Sequence, residues 1–155
     1  MVCSKNVHRV LHDEGRLAFA CWQPLVKSPW IALQMQAVMP LIPEEQRPPP
    51  AEADAPGPFS FGEPDRVRQV LGDAGFKNIE LEEYAPEVPL FGIKDMEELL
   101  DFAMQIGPAR DFFEGMDDAT KAKAREAVRE AYGPYLTDEG VVMAAAAWIV
   151  TADKG

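Results

Sequence analysis

Basic charge, histidine, cysteine and long apolar runs are all scarce in this sequence, and each shortage closes off a class of function. Against 26 acidic residues stand only 15 basic ones, a net charge of −11. Such a chain repels phosphate backbones, so no nucleic-acid partner is expected. No apolar run reaches the roughly 18 residues that span a bilayer; the longest candidate, Val141 to Val150, is too short. The first residues, MVCSKNVHRV, lack the apolar centre of a signal peptide. No membrane partner and a cytoplasmic location are the resulting expectations.

Cys3 and Cys21 form no disulfide framework, and both fit a reducing compartment. Cys21 sits inside an apolar stretch, where a small buried hydrophobe is its simplest role. The two histidines, His8 and His12, stand four apart near the N-terminus. With Cys3 they would supply part of a metal site, but no second cluster completes four ligands, so they read as solvated helix residues and no metal is expected. A Ser-His-Asp centre is excluded because no G-x-S-x-G occurs. No G-x-G-x-x-G occurs either, and none of the eleven glycines opens a helix after a buried strand.

What remains is a chain that is 47% hydrophobic, with three Trp, three Tyr and eight Phe in 155 residues. That length predicts one domain, residues 1–155, large enough to bury a core. Ser4 to His12 carries Val7, Val10 and Leu11 at helical spacing, with Ser4 as N-cap. Asp13-Glu14-Gly15 is a turn. Arg16 to Trp22 is apolar almost throughout, the pattern of a strand buried on both faces, and Pro24 ends it. Ser28-Pro29-Trp30 opens a helix whose residues are apolar nearly all round, as in a buried lid.

Eight of the fourteen prolines then fall between Pro40 and Pro64, including Pro48-Pro49-Pro50. Residues 40–63 therefore predict an extended, polyproline-like or mobile loop, closing on Phe59-Ser60-Phe61. A helix follows from Pro64 to Gly75, with Val67, Val70, Leu71 and Ala74 on one face. Phe76 to Tyr84 alternates as a half-exposed strand. Residues 95–132 predict a helical insertion. Its first helix is capped by Asp95 with Glu98 and broken at Gly107-Pro108; its second runs from Asp118 to Tyr132 with Ala122, Ala127, Val128 and Ala131 inward. Val141 to Thr151 has the alanines of a helix and the valines of a strand, and length does not decide between them.

Three stretches together resemble a known family. RVLHDEGRLAFACWQP is similar to the R-V-L-K-P-G-G-R-L-x-F-x-x-W segment of class I S-adenosylmethionine-dependent methyltransferases of the small-molecule type. PFSFGEPDRVRQVLGDAGFKNIELE resembles that family's aromatic loop, helix, A-G-F and edge strand, and WIVTADKG its closing strand. Asp13-Glu14-Gly15 replaces the usual Pro-Gly-Gly turn. The resemblance implies a partial Rossmann-like α/β fold in which 16–22, 76–84 and 141–151 are strands five, six and seven. The closing strand would run antiparallel between its neighbours, and 95–132 would form a cap on the substrate side. The first four strands, with the Gly-rich loop and the ribose-binding acid, have no counterpart in the 155 residues. S-adenosylmethionine, the cofactor of the complete family domain, is therefore not expected to bind this chain by itself.

Ligands of open α/β sheets bind beyond the carboxyl ends of the strands. Trp22 and Gln23 lie there, as a wall and a polar contact for a small methyl acceptor. Trp30, Phe59 and Phe61 would complete an apolar or aromatic pocket, with Met35 and Met39 as adaptable lining. Tyr84, Tyr132 and Tyr135 are the remaining acid–base candidates, and nothing in the sequence singles one out. The expected function is the acceptor-side portion of a methyltransferase, inactive unless a cofactor half is supplied. The alternative is a non-catalytic module that binds a small ligand or oligomerises. A strand as apolar as 16–22 with an unpaired edge also predicts association, with a second copy or with an N-terminal partner chain.

Overall fold

The computed structural model describes residues 2–47, 56–106 and 109–155. In chain order the helices are α1 (Val2–Val10), α2 (Pro29–Val38), α3 (Pro64–Asp73), α4 (Met96–Ala103), α5 (Ala109–Gly115) and α6 (Asp118–Tyr132). The strands are β1 (Arg16–Trp22), β2 (Lys77–Tyr84), β3 (Glu87–Pro89), β4 (Leu136–Thr137), β5 (Gly140–Ala144) and β6 (Ala147–Asp153). The protein is thus a mixed α/β chain with small antiparallel sheets. It divides into two compact units, one of Met1–Lys27, Ala51–Ala85 and Ala146–Gly155, the other of Ser28–Pro50 and Pro86–Ala145. Each has its own apolar cluster.

In the first unit β6 lies between β1 and β2, antiparallel to both. Leu17, Phe19 and Cys21 of β1, Val150 and Ala152 of β6 and Leu81 of β2 face one side of this sheet. There they meet Val7 and Leu11 from the first helical segment, Val67 and Leu71 from α3, and Phe76. Full burial, as at Val67, Leu71, Phe76 and Val150, contributes about 1.5–3 kcal/mol for each side chain. The α3 spacing of Val67, Val70 and Leu71 supplies the stripe, and Gly75, at φ 101°, turns the chain into β2. α1 starts at Val2, two residues before the expected cap at Ser4.

Two expectations for the strands are corrected. β1 is not buried on both faces: its residues alternate between exposed and half-buried, with Arg16, Ala18, Ala20 and Trp22 outward. Among the described residues, helices cover only one face of this antiparallel sheet, and the small Ala18 and Ala20 make the outer face apolar in sequence at little cost in exposed area. The expected single strand over 141–151 is two strands, β5 and β6, in different sheets. Backbone bonding explains the break. The Ala145 N–H donates to the Pro86 carbonyl, whereas the Ala146 carbonyl accepts from the Gln23 N–H.

In the second unit β5 pairs antiparallel with β3 and β4. Its core joins Val38, Leu99, Leu100, Phe113, Ala124, Val128, Tyr132, Val141 and Met143. The inward stripe of α6 is Ala124, Val128 and Tyr132, at i, i+4 and i+8; Ala122 is exposed, contrary to the sequence reading, because the apolar stripe lies two residues further on. Both predicted helix starts in this segment carry a side-chain cap. Asp95 Oδ1 accepts from the Glu98 N–H at 2.9 Å, and Asp117 Oδ1 from the Thr120 N–H at 2.9 Å. The Asp117 carboxyl is accordingly held below its ordinary pKa, first by that backbone bond. α5 was not foreseen. The expected break at Gly107-Pro108 and the triplet Pro48-Pro49-Pro50 lie outside the described residues. The described ends of the Pro-rich segment form short turns, at Met39–Leu41 and Glu44–Gln46 on one side and Phe59–Gly62 on the other.

Candidate functional site

The carboxyl end of β1 is built by three local devices. First, Gln23 ends the strand by turning inward. It is 1% exposed, its N–H donates to the Ala146 carbonyl at 3.0 Å, and its Nε2 donates to the Ala147 carbonyl at 3.1 Å. Second, Gly62 lets the Phe59–Gly62 turn close on the strand end, since a Cβ there would stand 2.9 Å from Pro24 Cα. Third, the Trp148 indole Nε1 donates to the Gly62 carbonyl at 2.7 Å and fixes that turn from the covered side of the sheet.

These contacts place Phe59 beside Trp22, with ring centroids 6.4 Å apart. Between β1 and the turn lies an open recess of about 490 Å³, lined by Ala20, Cys21, Trp22, Pro58 and Ala147. That volume falls in the range of small-molecule sites. Ala147 is the register partner of both Trp22 on β1 and Tyr84 on β2. Neighbouring strands are about 4.8 Å apart, so the backbones of the two aromatic residues stand roughly 10 Å apart across Ala147, with Tyr84 outside the residues that line the recess. Both rings are solvent-accessible, Trp22 at 36% and Tyr84 at 55%.

The recess is chemically quiet. Its lining offers dispersion contacts and aromatic faces and no carboxylate, amine or imidazole, and the Cys21 side chain faces the covered side of the sheet. Burial raises the pKa of that thiol, so it stays protonated at neutral pH and is a poor nucleophile. Its Sγ lies 3.6 Å from the Phe61 carbonyl oxygen, to which it donates. The arrangement suits holding an apolar ring; proton transfer at the acceptor has no general base among the lining side chains.

The five residues selected from sequence fall in different surroundings. Trp22 and Phe59 are brought together. Gln23 adjoins them, but its amide is committed to the Ala147 carbonyl. Phe61 lies under the sheet, 6.2 Å from Phe19, within the apolar cluster. Trp30 belongs to the second unit. There its ring meets Phe91 edge-on at 5.2 Å, and Phe91 meets Phe102 at 4.8 Å. Pro58 and Ala147 were missed, and Tyr84 was named only as an acid–base candidate; strand register alone, with a small residue opposite Trp22, would have placed Ala147 and Tyr84 beside it. His8, expected to be solvated, instead packs edge-on against Phe76 at 4.9 Å, with Nε2 3.3 Å from the Lys154 carbonyl oxygen. Its ring fills the space above Gly75, where a Cβ would stand 3.0 Å from Nε2.

No protein-family model matches this sequence, and no curated protein matches it.

Proposed function

We propose that the chain is the acceptor-side portion of an S-adenosylmethionine-dependent methyltransferase that takes a small apolar or aromatic molecule at the Trp22 recess. The observation that carries this reading is the strand order β1-β6-β2 with β6 antiparallel to both neighbours, the order that the resemblance assigns to strands five, seven and six. A Pro-initiated helix and A-G-F lead into β2 as the same resemblance requires. The recess opens at the carboxyl end of β1, where open α/β sheets hold ligands.

On this reading other residues supply the Gly-rich turn and the ribose-binding acid that hold S-adenosylmethionine, whose sulfonium methyl is the group transferred. The present chain then contributes position rather than acid–base chemistry: Trp22, Phe59 and Tyr84 orient a flat acceptor, and alignment is the main demand of methyl transfer. The quiet lining also fits the second reading, a module that binds an apolar ligand without chemistry.

Two titrations of the purified chain test the proposal. 2-Naphthol, followed by tryptophan fluorescence, is expected to bind the chain and to lose at least tenfold in affinity on Trp22→Ala. S-Adenosylmethionine, followed by calorimetry, is expected not to bind. Failure of 2-naphthol to bind, or tight binding of S-adenosylmethionine by the chain alone, overturns the division of labour. Methyl transfer regained on adding a cofactor-binding half distinguishes the enzyme from the binding module.

A further inference from the structure

We infer that the edge of β1 facing away from β6 pairs antiparallel with the β1 edge of a second copy, centred on Phe19, so that two three-stranded sheets join into one. The inference does not rest on the function proposed above.

The backbone fixes which groups are on offer. In an antiparallel ladder, directly opposed residues alternate between pairs that exchange both hydrogen bonds and pairs that exchange none. Arg16 opposes Asp153 and Trp22 opposes Ala147, so the register continues to Gly15 opposite Lys154 and Gln23 opposite Ala146. At both of these flanking pairs a bond is made: the Lys154 N–H donates to the Gly15 carbonyl, and the Gln23 N–H to the Ala146 carbonyl. Odd-numbered residues of β1 therefore spend their backbone groups on β6. The N–H and C=O groups of Arg16, Ala18, Ala20 and Trp22 point off the other edge, and among the described residues no backbone group bonds to them.

An exposed edge of this kind is a template for another strand, and soluble proteins blunt it with charge, proline or a bulge. β1 has one charged residue, Arg16 at its start, no acidic residue and no proline. Ala18 and Ala20 are exposed on the open face, and among the described residues no strand lies along this edge. In a chain of net charge −11, a seven-residue exposed edge without an acid is a local gap in the repulsion between copies.

Symmetry then selects the register. Outward groups must meet outward groups, so even-numbered residues pair with even-numbered residues across a two-fold axis. Centring on Phe19 opposes Arg16 to Trp22, Ala18 to Ala20 and Phe19 to Phe19 of the second copy, and uses all four outward residues. A slip of two residues either way leaves one outward residue of each copy without a strand partner. In the centred register Arg16 lies opposite the second copy's Trp22; its guanidinium, 59% exposed, donates within the chain to Thr151 Oγ1 at 3.0 Å and Glu80 Oε2 at 3.4 Å, and dimerisation exchanges these surface bonds for a cation–π pair made twice. The alanines between them admit close approach.

On the function proposed above, a strand that completed the sheet would compete for this edge, and the homodimer is the form of the chain without it. Sedimentation equilibrium on the full chain tests the inference. A dimer in the micromolar range is expected, tightening as salt screens the like net charges. Ala20→Pro is expected to give a monomer with an unchanged far-ultraviolet spectrum, because the lost N–H is one that β6 does not use. Should that variant fail to fold, Ala18→Lys, on the exposed face, is expected to weaken the dimer at least tenfold. A clean monomer throughout the micromolar range, or a dimer that Ala18→Lys leaves intact, overturns the inference. For the register, Ala18→Cys and Ala20→Cys variants, each with Cys3→Ser, are oxidised singly and mixed. Faster cross-linking in the mixture is expected, and equal rates overturn the centring on Phe19.

Discussion

Trp22 and Tyr84 stand on either side of Ala147 in one register row that crosses all three strands of the β1-β6-β2 sheet. The row lies on the face that α1 and α3 leave open, so both rings are accessible while the opposite face carries the core. Binding and stability are thereby separated. Trp22→Ala is expected to weaken aromatic-ligand affinity at least tenfold while lowering folding stability by less than truncation of a fully buried side chain does. Leu71→Ala, at a site 1% exposed, is expected to cost about 2–5 kcal/mol. Urea titration of both variants beside the binding assay checks the contrast; a large stability loss at Trp22 would make it a core residue.

Ser28 inverts a familiar rule. It precedes Pro29 at the start of α2, the position where Ser normally caps a helix and where its replacement by Ala costs about 1 kcal/mol. Its side chain makes no cap bond, and its buried Oγ has no hydrogen-bond partner among the described residues. Removing an unpaired buried hydroxyl relieves desolvation rather than breaking a bond. Ser28→Ala is therefore expected to leave the denaturation midpoint unchanged or to raise it. A drop of 1 kcal/mol would mean that the hydroxyl is satisfied in solution.

Gly140 opens β5 at φ 98°, and a Cβ there would stand 2.5 Å from the Ile93 carbonyl oxygen. Both the backbone conformation and the space require glycine. Gly140→Ala is expected to destabilise by more than about 1 kcal/mol, and Gly72→Ala, with open space around it inside α3, to stabilise slightly. Thermal melts of the pair separate a steric demand from a general cost of added side chains.

These contrasts mark where local sequence is informative. α3, α4 and α6 were legible because apolar spacing agrees with a Pro start and the Gly75 stop at α3, with the Asp95 cap at α4, and with the Asp117 cap and the Gly133-Pro134 stop at α6. β1 was legible as a strand but not as a one-sided one, because Ala18 and Ala20 look equally apolar on a covered or an open face. The break between β5 and β6 was hidden in AAAA, where only the distant partners Pro86 and Gln23 decide which backbone groups pair with which strand. The site was half legible for the same reason: Trp22 announces itself at a strand end, whereas Ala147 and Tyr84 join it only through register. Trp30, chosen as an aromatic near a helix start, is held instead by the second unit, where its carbonyl accepts from the Tyr132 hydroxyl at 3.0 Å. Burial of that hydroxyl raises its pKa, which keeps it a hydrogen-bond donor.

Glu97 ties α4 to α6 through two arginines, Arg125 and Arg129. Its carboxylate accepts from the Arg129 guanidinium and, at 2.8 Å, from Arg125, whose other arm bonds Asp101 at 2.5 Å. The hydrogen bonds from Arg129 and then Arg125 pull the Glu97 pKa down from 4.5 to about 2. A carboxyl whose folded pKa lies below its unfolded value favours the folded state above the unfolded pKa and loses that advantage as protons bind. The α4–α6 clamp is therefore expected to hold at full strength above about pH 4.5 and to be lost progressively as the pH falls toward 2. All these groups are at the surface, so salt should screen part of the effect. Helical circular dichroism followed from pH 6 to pH 2 should show a loss that Glu97→Gln makes shallower, since the variant has no proton to take up there. An identical acid profile in the variant would assign the sensitivity to other carboxylates.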